Sequence, residues 1–324
     1  MPPLPNFWWR RFFGFDALLC SVRTQLSEGK LKTMKSHQIL VAGLACFISH
    51  TASAQERPSS SPGQEVSSDN RERPAGRPES STGWTIAVGG GVLLSPNYLG
   101  GDDYSLSVVP YIRVTSGDRF TASVQEGLKY VAVKGDNFRA GPRVSLEFGR
   151  QEDGGSTFKV AGNRTNDLLG LGDIDPSLSL GGFAELDVGK LTASANLEQA
   201  VTGHKGLTGG IAVNYKSIIR HKGSPIIYSL GPKLNFGDDS YQNAYFSINV
   251  PQSIASGLTE YNASGGVVSY GAAMTVILPI TEKVATTVIG SYTRLVGDAA
   301  RSPLVQERGS RNQGFVGLVA TYSF

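Results

Sequence analysis

Chemistry in this chain would have to start from few residues. Downstream of residue 54 only two histidines occur, His204 and His221. Both fall at expected turns with no Cys or His at ligand spacing, so they are expected as surface histidines rather than metal ligands or a base. No serine-nucleophile elbow, zinc-protease pair or phosphate-binding glycine loop is present. No catalytic, cofactor or metal residue is therefore assigned, and no cofactor is expected. The acidic turns Gly100-Gly101-Asp102-Asp103 and Gly237-Asp238-Asp239 each offer two adjacent carboxylates, too few for calcium, and suit solvated hairpins. Gly170-Leu171-Gly172-Asp173-Ile174-Asp175 lacks a flanking strand and helix for a nucleotide loop. Arg139, Arg143 and Glu147 stand four apart on one strand face. They would form a charged ladder that either tunes a pore or, the favoured alternative, locks an interior with ion pairs.

The elements that carry these residues alternate apolar and polar with period two. Trp84, Ile86, Val88, Gly90, Val92 and Leu94 share one face. Leu106, Val108, Pro110, Ile112 and Val114 oppose Ser105, Ser107, Tyr111 and Arg113. Further runs lie at 120–131, 139–149, 178–188, 191–201, 207–218, 225–236, 243–250, 266–279, 283–296 and 313–324. That makes about twelve strands, and many reach the nine or more residues that a tilted strand needs to cross a bilayer. No apolar stretch is long enough for a membrane helix. Lipid satisfies no backbone hydrogen bond, so a membrane protein of this pattern must close its sheet. The expected fold is all-β: a transmembrane antiparallel up-and-down β-barrel. Pro110, Pro142, Pro232 and Pro279 fall in or near strands and are expected at strand ends or bulges.

The front of the chain looks like processing. Lys35, the apolar run from Ile39 to Ile48 and Ala52-Ser53-Ala54 have the layout of a signal peptide over 34–54. Residues 1–33 fit no domain, so Met1 is expected to be a misassigned start and Met34 the true one. Replacing Met34 should abolish expression. Residues 55–82 are Pro, Ser, Glu and Arg with little to bury, a disordered tether. The barrel would occupy 83–324. Both cysteines, Cys20 and Cys46, precede the cut. Residues 1–54 carry a net +4, so of the whole chain's +3 the mature part keeps about −1, which removes compositional support for nucleic-acid binding.

Val316, Leu318, Ala320, Tyr322 and Phe324 alternate to the last residue. An aromatic pair at Tyr322 and Phe324 is expected to be read by the barrel assembly machinery. Taking the last strand to descend to the periplasm, and counting strands backwards, puts the long stretch Arg150 to Asp175 in the periplasm, where turns are normally short.

Several stretches resemble the MipA/OmpV family of MltA-interacting outer-membrane proteins. They are Gly89-Gly90 with Pro96-Asn97-Tyr98-Leu99-Gly100-Gly101-Asp102-Asp103, then Arg139-Ala140-Gly141-Pro142, and Leu169-Gly170-Leu171-Gly172-Asp173-Ile174. Gly257-Leu258 with Tyr261, Arg294 to Ala300, Ser302-Pro303-Leu304 and the final Tyr322-Ser323-Phe324 continue the likeness. The resemblance implies residence among outer-membrane lipid in a Gram-negative cell. It also implies a non-enzymatic scaffold joining a lytic transglycosylase to a bifunctional penicillin-binding protein. The contact was expected through Arg150 to Asp175 and perhaps the tether. Alternatives are a small-solute channel, or a surface adhesin using loops near 251–264 and 297–312.

Overall fold

The computed structural model describes residues 83–324 except 156–157, 163–164 and 222–223. The signal-peptide, start-site and tether expectations lie outside the described residues. The strands are β1 (Trp84–Pro96), β2 (Tyr104–Ser116), β3 (Phe120–Ser123), β4 (Gly127–Tyr130), β5 (Val133–Lys134), β6 (Phe138–Glu147) and β7 (Lys159–Ala161). They continue as β8 (Ser177–Val188), β9 (Leu191–Ala200), β10 (Leu207–His221), β11 (Ser224–Gly237), β12 (Gly266–Pro279), β13 (Val284–Leu295) and β14 (Asn312–Ser323). Four short helices interrupt the loops: α1 (Asp239–Phe246), α2 (Val250–Ser256), α3 (Gly297–Arg301) and α4 (Pro303–Arg308).

Every neighbouring pair is antiparallel, and β1 pairs with both β2 and β14, so the sheet closes on itself. Twelve strands make the ring, with β5 extending β4 and β7 set beside β2. The expected twelve-strand barrel is therefore observed. Alternation sorts the two faces as expected. Leu146, Leu180, Leu197, Ile211 and Leu230 point outward on five successive strands, each about half exposed. Such an apolar belt would be unstable in water and is what a lipid-facing wall requires.

The prolines sit where the ladder lapses. Pro110 is beyond the reach of β3, and its carbonyl accepts instead from Gln125 Nε2 at 3.2 Å. Pro142 faces the break between β4 and β5. Pro232 lies opposite the gap in the β10–β11 register between Ala212 and Tyr215. Pro279 is the last residue of β12. In each case no donor is demanded where none exists.

Two strand expectations are corrected. The run at 120–131 is a hairpin, β3 and β4, because Gly127 turns the chain at φ +73. A Cβ there would stand 2.0 Å from the Val144 carbonyl oxygen, so the turn needs glycine. The expected strand at 243–250 is instead helical. Asp238 caps α1 by accepting from Tyr241 N at 2.9 Å. Asn249 and Gln252 cap α2 reciprocally, each bond 2.9 Å. Gln242, Tyr245 and Phe246, spaced for one helical face, are buried.

One strand added and one removed leaves twelve, but reverses the sidedness of everything between them. Arg150 to Asp175 therefore lies at the end opposite Trp84 and Ser323, which corrects its periplasmic placement. Its length has a structural reason. The β3–β4 hairpin covers only the lower part of the wall between β2 and β6. Above it β7 pairs with Leu106 and Ser107 of β2, and Val108 N donates to Phe158 O at 2.9 Å. Phe148 and Phe158 meet edge to face across the remaining seam, 5.8 Å between centroids. The long segment completes the wall.

Candidate functional site: a folded cap over a charge-paired lumen

The end that carries Trp84 and Ser323 has turns of a few residues. The other end carries 97–103, 148–176, 201–206, 238–265 and 296–311, and these loops fold together. One apolar cluster joins Tyr245, Phe246, Ala263, Val268, Leu295, Ala299, Ala300 and Val305, with Leu99, Ile174 and Tyr261 against it. A second joins Tyr98, Leu168, Leu171, Ile248, Leu258 and Leu304. Contributors come from strands around the ring, so their common core must lie across the mouth. Nearly all large side chains that are fully buried belong to this cap rather than to the barrel wall.

Polar contacts tie the loops to one another. Tyr98 Oη donates to Arg308 O at 2.7 Å, and Arg308 Nη1 to Asp167 O at 2.9 Å. Ser302 Oγ donates to Phe246 O at 2.6 Å, and Gln252 Nε2 to Leu171 O at 2.6 Å. Gln313 at the top of β14 bridges Gly100 N at 3.1 Å and Gly101 O at 3.0 Å. Tyr261 Oη donates to Asp298 O at 3.0 Å. Asp238 serves as a helix cap and Asp239 accepts from Gly265 N, so that acidic turn is used structurally. The stretches expected for an adhesin become α2, α3 and α4 of the cap, with Val250 and Ile254 of α2 left exposed.

Burial raises the phenols of Tyr98, Tyr241 and Tyr245, the last to about 12 with the Glu147 charge adding to the effect. An unfolded tyrosine ionises near 10. The burial of Tyr245 therefore contributes stability that is complete below that pH and is lost as pH rises through about 12. Absorbance of tyrosinate during an alkaline titration should show this late ionisation coinciding with greater protease access to 238–265.

Beneath the cap the inward faces are charged and paired. Arg139 bonds Glu185 at 2.9 Å and Asp187 at 3.3 Å. Arg143 bonds Glu198 at 2.6 Å, and Glu198 is almost wholly buried. Glu126, at the tip of the β3–β4 hairpin, takes Arg113 at 3.1 Å and Lys129 at 3.3 Å. The Lys129 ammonium stands 5.7 Å from the Phe183 ring centroid. The favoured alternative for Arg139, Arg143 and Glu147 holds: each faces an opposite or protonatable partner on a neighbouring strand or loop. Sequence reasoning found the ladder but not its partners, because Glu185, Glu198 and His204 become neighbours only through register.

The surface expectation for His204 is corrected. Its side chain is fully buried, with Nε2 3.5 Å from Glu147. Its Nδ1 accepts from Gly206 N at 3.0 Å, and Tyr241 packs edge-on at 5.1 Å. His221 is exposed at the end of β10. Among the described residues no group of three His, Cys, Asp or Glu could hold a metal ion.

The family model described as MltA-interacting protein MipA matches residues 88–324. The chain belongs to that family. It is 29% identical over 160 residues to outer membrane protein OmpV of Vibrio cholerae, and equally to outer membrane protein Omp26La of Vibrio anguillarum. Those alignments cover 49% of this chain and span 59% of each relative. Among solved structures, an outer membrane channel from Pseudomonas putida covers 78% of this chain and all of that one, at 13% identity and TM-score 0.40. The NanC porin covers 73% of this chain and 98% of that one, at 11% identity and TM-score 0.36. Family membership, together with the closed sheet and its apolar outer belt, makes the protein an outer-membrane barrel. In such barrels short turns face the periplasm and long loops face outward, so the cap is on the cell surface. The stretches that resemble the family converge on this cap, apart from Gly89-Gly90, Arg139 to Pro142 and Tyr322 to Phe324, which belong to the wall.

Proposed function

We propose that this barrel is a non-enzymatic anchor that holds murein-cutting and murein-making enzymes on its periplasmic side. The observation that carries the proposal is the opposition of the two ends. The outward mouth is occupied by a folded apolar core, whereas β1 begins at Trp84 on the periplasmic end, directly after residues 55–82. The family description, MltA-interacting, supports a periplasmic partner of lytic-transglycosylase type. A bifunctional penicillin-binding protein would be the second. Because Arg150 to Asp175 faces outward, we assign the partner contact instead to 55–82 and the short turns at 117–119 and 189–190.

Pull-down on an immobilised lytic transglycosylase tests this. The full chain should be captured, a chain lacking 55–82 should lose most capture, and a chain lacking 239–264 should keep it. Equal capture with and without 55–82 would overturn the assignment of the contact. A second reading, a small-solute channel, has one observation in its favour. The lumen below α1 holds a cavity of about 300 Å³ lined by Arg143, Glu198, Asn235 and Tyr241. Unitary current steps from the intact protein in planar bilayers would favour it.

A further inference from the structure

Arg150 is a partly buried cation of the cap whose guanidinium makes no ion pair among the described residues. It follows β6 and is fixed by a two-way bridge to Ile174, with N to O distances of 2.9 and 2.7 Å. Its guanidinium is drawn under α1, where Nη1 donates to Tyr245 O at 3.2 Å. Its Nε is buried with no hydrogen-bond partner. Among the described residues no carboxylate forms an ion pair with it. The lumen cations Arg113, Lys129, Arg139 and Arg143 each have one. The Asp173 charge acts on Arg150 from nearby, and Asp173 Oδ1 accepts from Glu152 N at 2.7 Å.

A guanidinium taken out of water costs several kcal/mol unless an anion and hydrogen bonds replace its hydration. Burial lowers the pKa of Arg150, yet arginine does not deprotonate in proteins, so the charge stays. The residue also lines a cavity of about 370 Å³, within the range of small-ligand sites. The other walls are largely aromatic and aliphatic: Tyr98, Leu99, Phe148, Phe158 and Tyr245. Asp173 and Asp175 also line it, both exposed.

We propose that this cavity is a binding site for a small monoanion with an apolar body, of the aryl or short alkyl carboxylate class, with Arg150 holding the carboxylate. The planar guanidinium offers a fork of parallel donors that suits a carboxylate. The aromatic walls supply contact for a ring or short chain. The two acidic side chains repel a second negative charge, which disfavours phosphate and other multivalent anions. Phe148, exposed just beyond the end of β6, forms one of its walls, and the cap that holds the cavity is at the outward end of the barrel.

Titration calorimetry on the full barrel in non-ionic detergent tests the site, with sodium benzoate as the probe. Saturable one-to-one binding is expected. Arg150→Gln should weaken it by ~10-fold or more, the loss of a charge-assisted hydrogen bond. Cyclohexylammonium should give no saturable heat, and inorganic phosphate should bind more weakly than benzoate. Absence of saturable benzoate binding to the unmodified protein would overturn the proposal without recourse to any variant. So would equal affinity in Arg150→Gln, or phosphate binding tighter than benzoate. Heat-modifiable migration in electrophoresis checks that the variant is folded, and Arg150→Lys, which keeps charge but loses the fork, should be intermediate.

Discussion

Replacing residues 239–264 by a short glycine–serine turn is expected to give unitary current steps in planar bilayers where the intact protein gives none. Gly237 and Gly266 are paired in register, so a tight turn can join β11 to β12 without disturbing either strand. The replacement removes α1 and α2, and with them Tyr245, Phe246, Ile248 and Leu258 from the two apolar clusters. Those clusters are what hold the other loops over the mouth. The barrel's own ladder is untouched, so heat-modifiable migration should be retained. Phe246→Ala is the milder form. Its ring is fully buried, and truncation at such a site costs about 3–5 kcal/mol. Brief openings rather than a permanent one should follow. A silent deletion variant would mean that the lumen below the cap is itself closed, and would remove the channel reading altogether.

Glu198→Ala should be the most destabilising single change in the wall. Glu198 takes Arg143 at 2.6 Å, Asn196 Nδ2 at 3.1 Å and the Ser145 hydroxyl. Removing it leaves the Arg143 guanidinium without its direct ion pair, with only the more distant Glu126 charge, which Arg113 and Lys129 already share. Breaking one partner of a buried pair typically costs about 3–5 kcal/mol, more than the pair itself contributes. Urea unfolding of the barrel in lipid should show the loss as an earlier midpoint. The double change Arg143→Leu with Glu198→Leu should be the milder, because no charge is then stranded. If the single and double variants unfold at the same midpoint, the lumen is wet enough to solvate Arg143, and the pair is a solvated one.

Much of this protein was legible from local pattern. Period-two alternation marked the strands and their two faces, and the signal-peptide layout, the strand lengths and the terminal aromatic strand pointed to a membrane, where lipid leaves a closed sheet as the way to satisfy backbone groups. That placement turned the apolar face to lipid. The four strand prolines were correctly expected at irregularities. The charged ladder at Arg139, Arg143 and Glu147 was visible as residues four apart.

What alternation could not supply was parity. The run at 120–131 reads as one strand because its apolar residues continue through the Gly127 turn, and 243–250 reads as one because Phe246, Ile248 and Val250 alternate. The first is two strands and the second is helix. These two errors cancel in the count but invert the side of every loop between them, so the outward position of Arg150 to Asp175 emerged only with the pairing. Side in the membrane is a cumulative property of all preceding turns, and one miscounted hairpin reverses it.

The sequence by itself determined the kind of wall, since the pattern of each strand answers to its immediate surroundings, lipid on one face and polar interior on the other. Tertiary structure alone decided the cap. Tyr98, Leu171, Phe246, Leu258 and Leu304 are far apart in the chain and come from four different loops. They become one core only because a closed ring brings all its loops to one mouth, where burying their apolar surface together is the way to remove it from water.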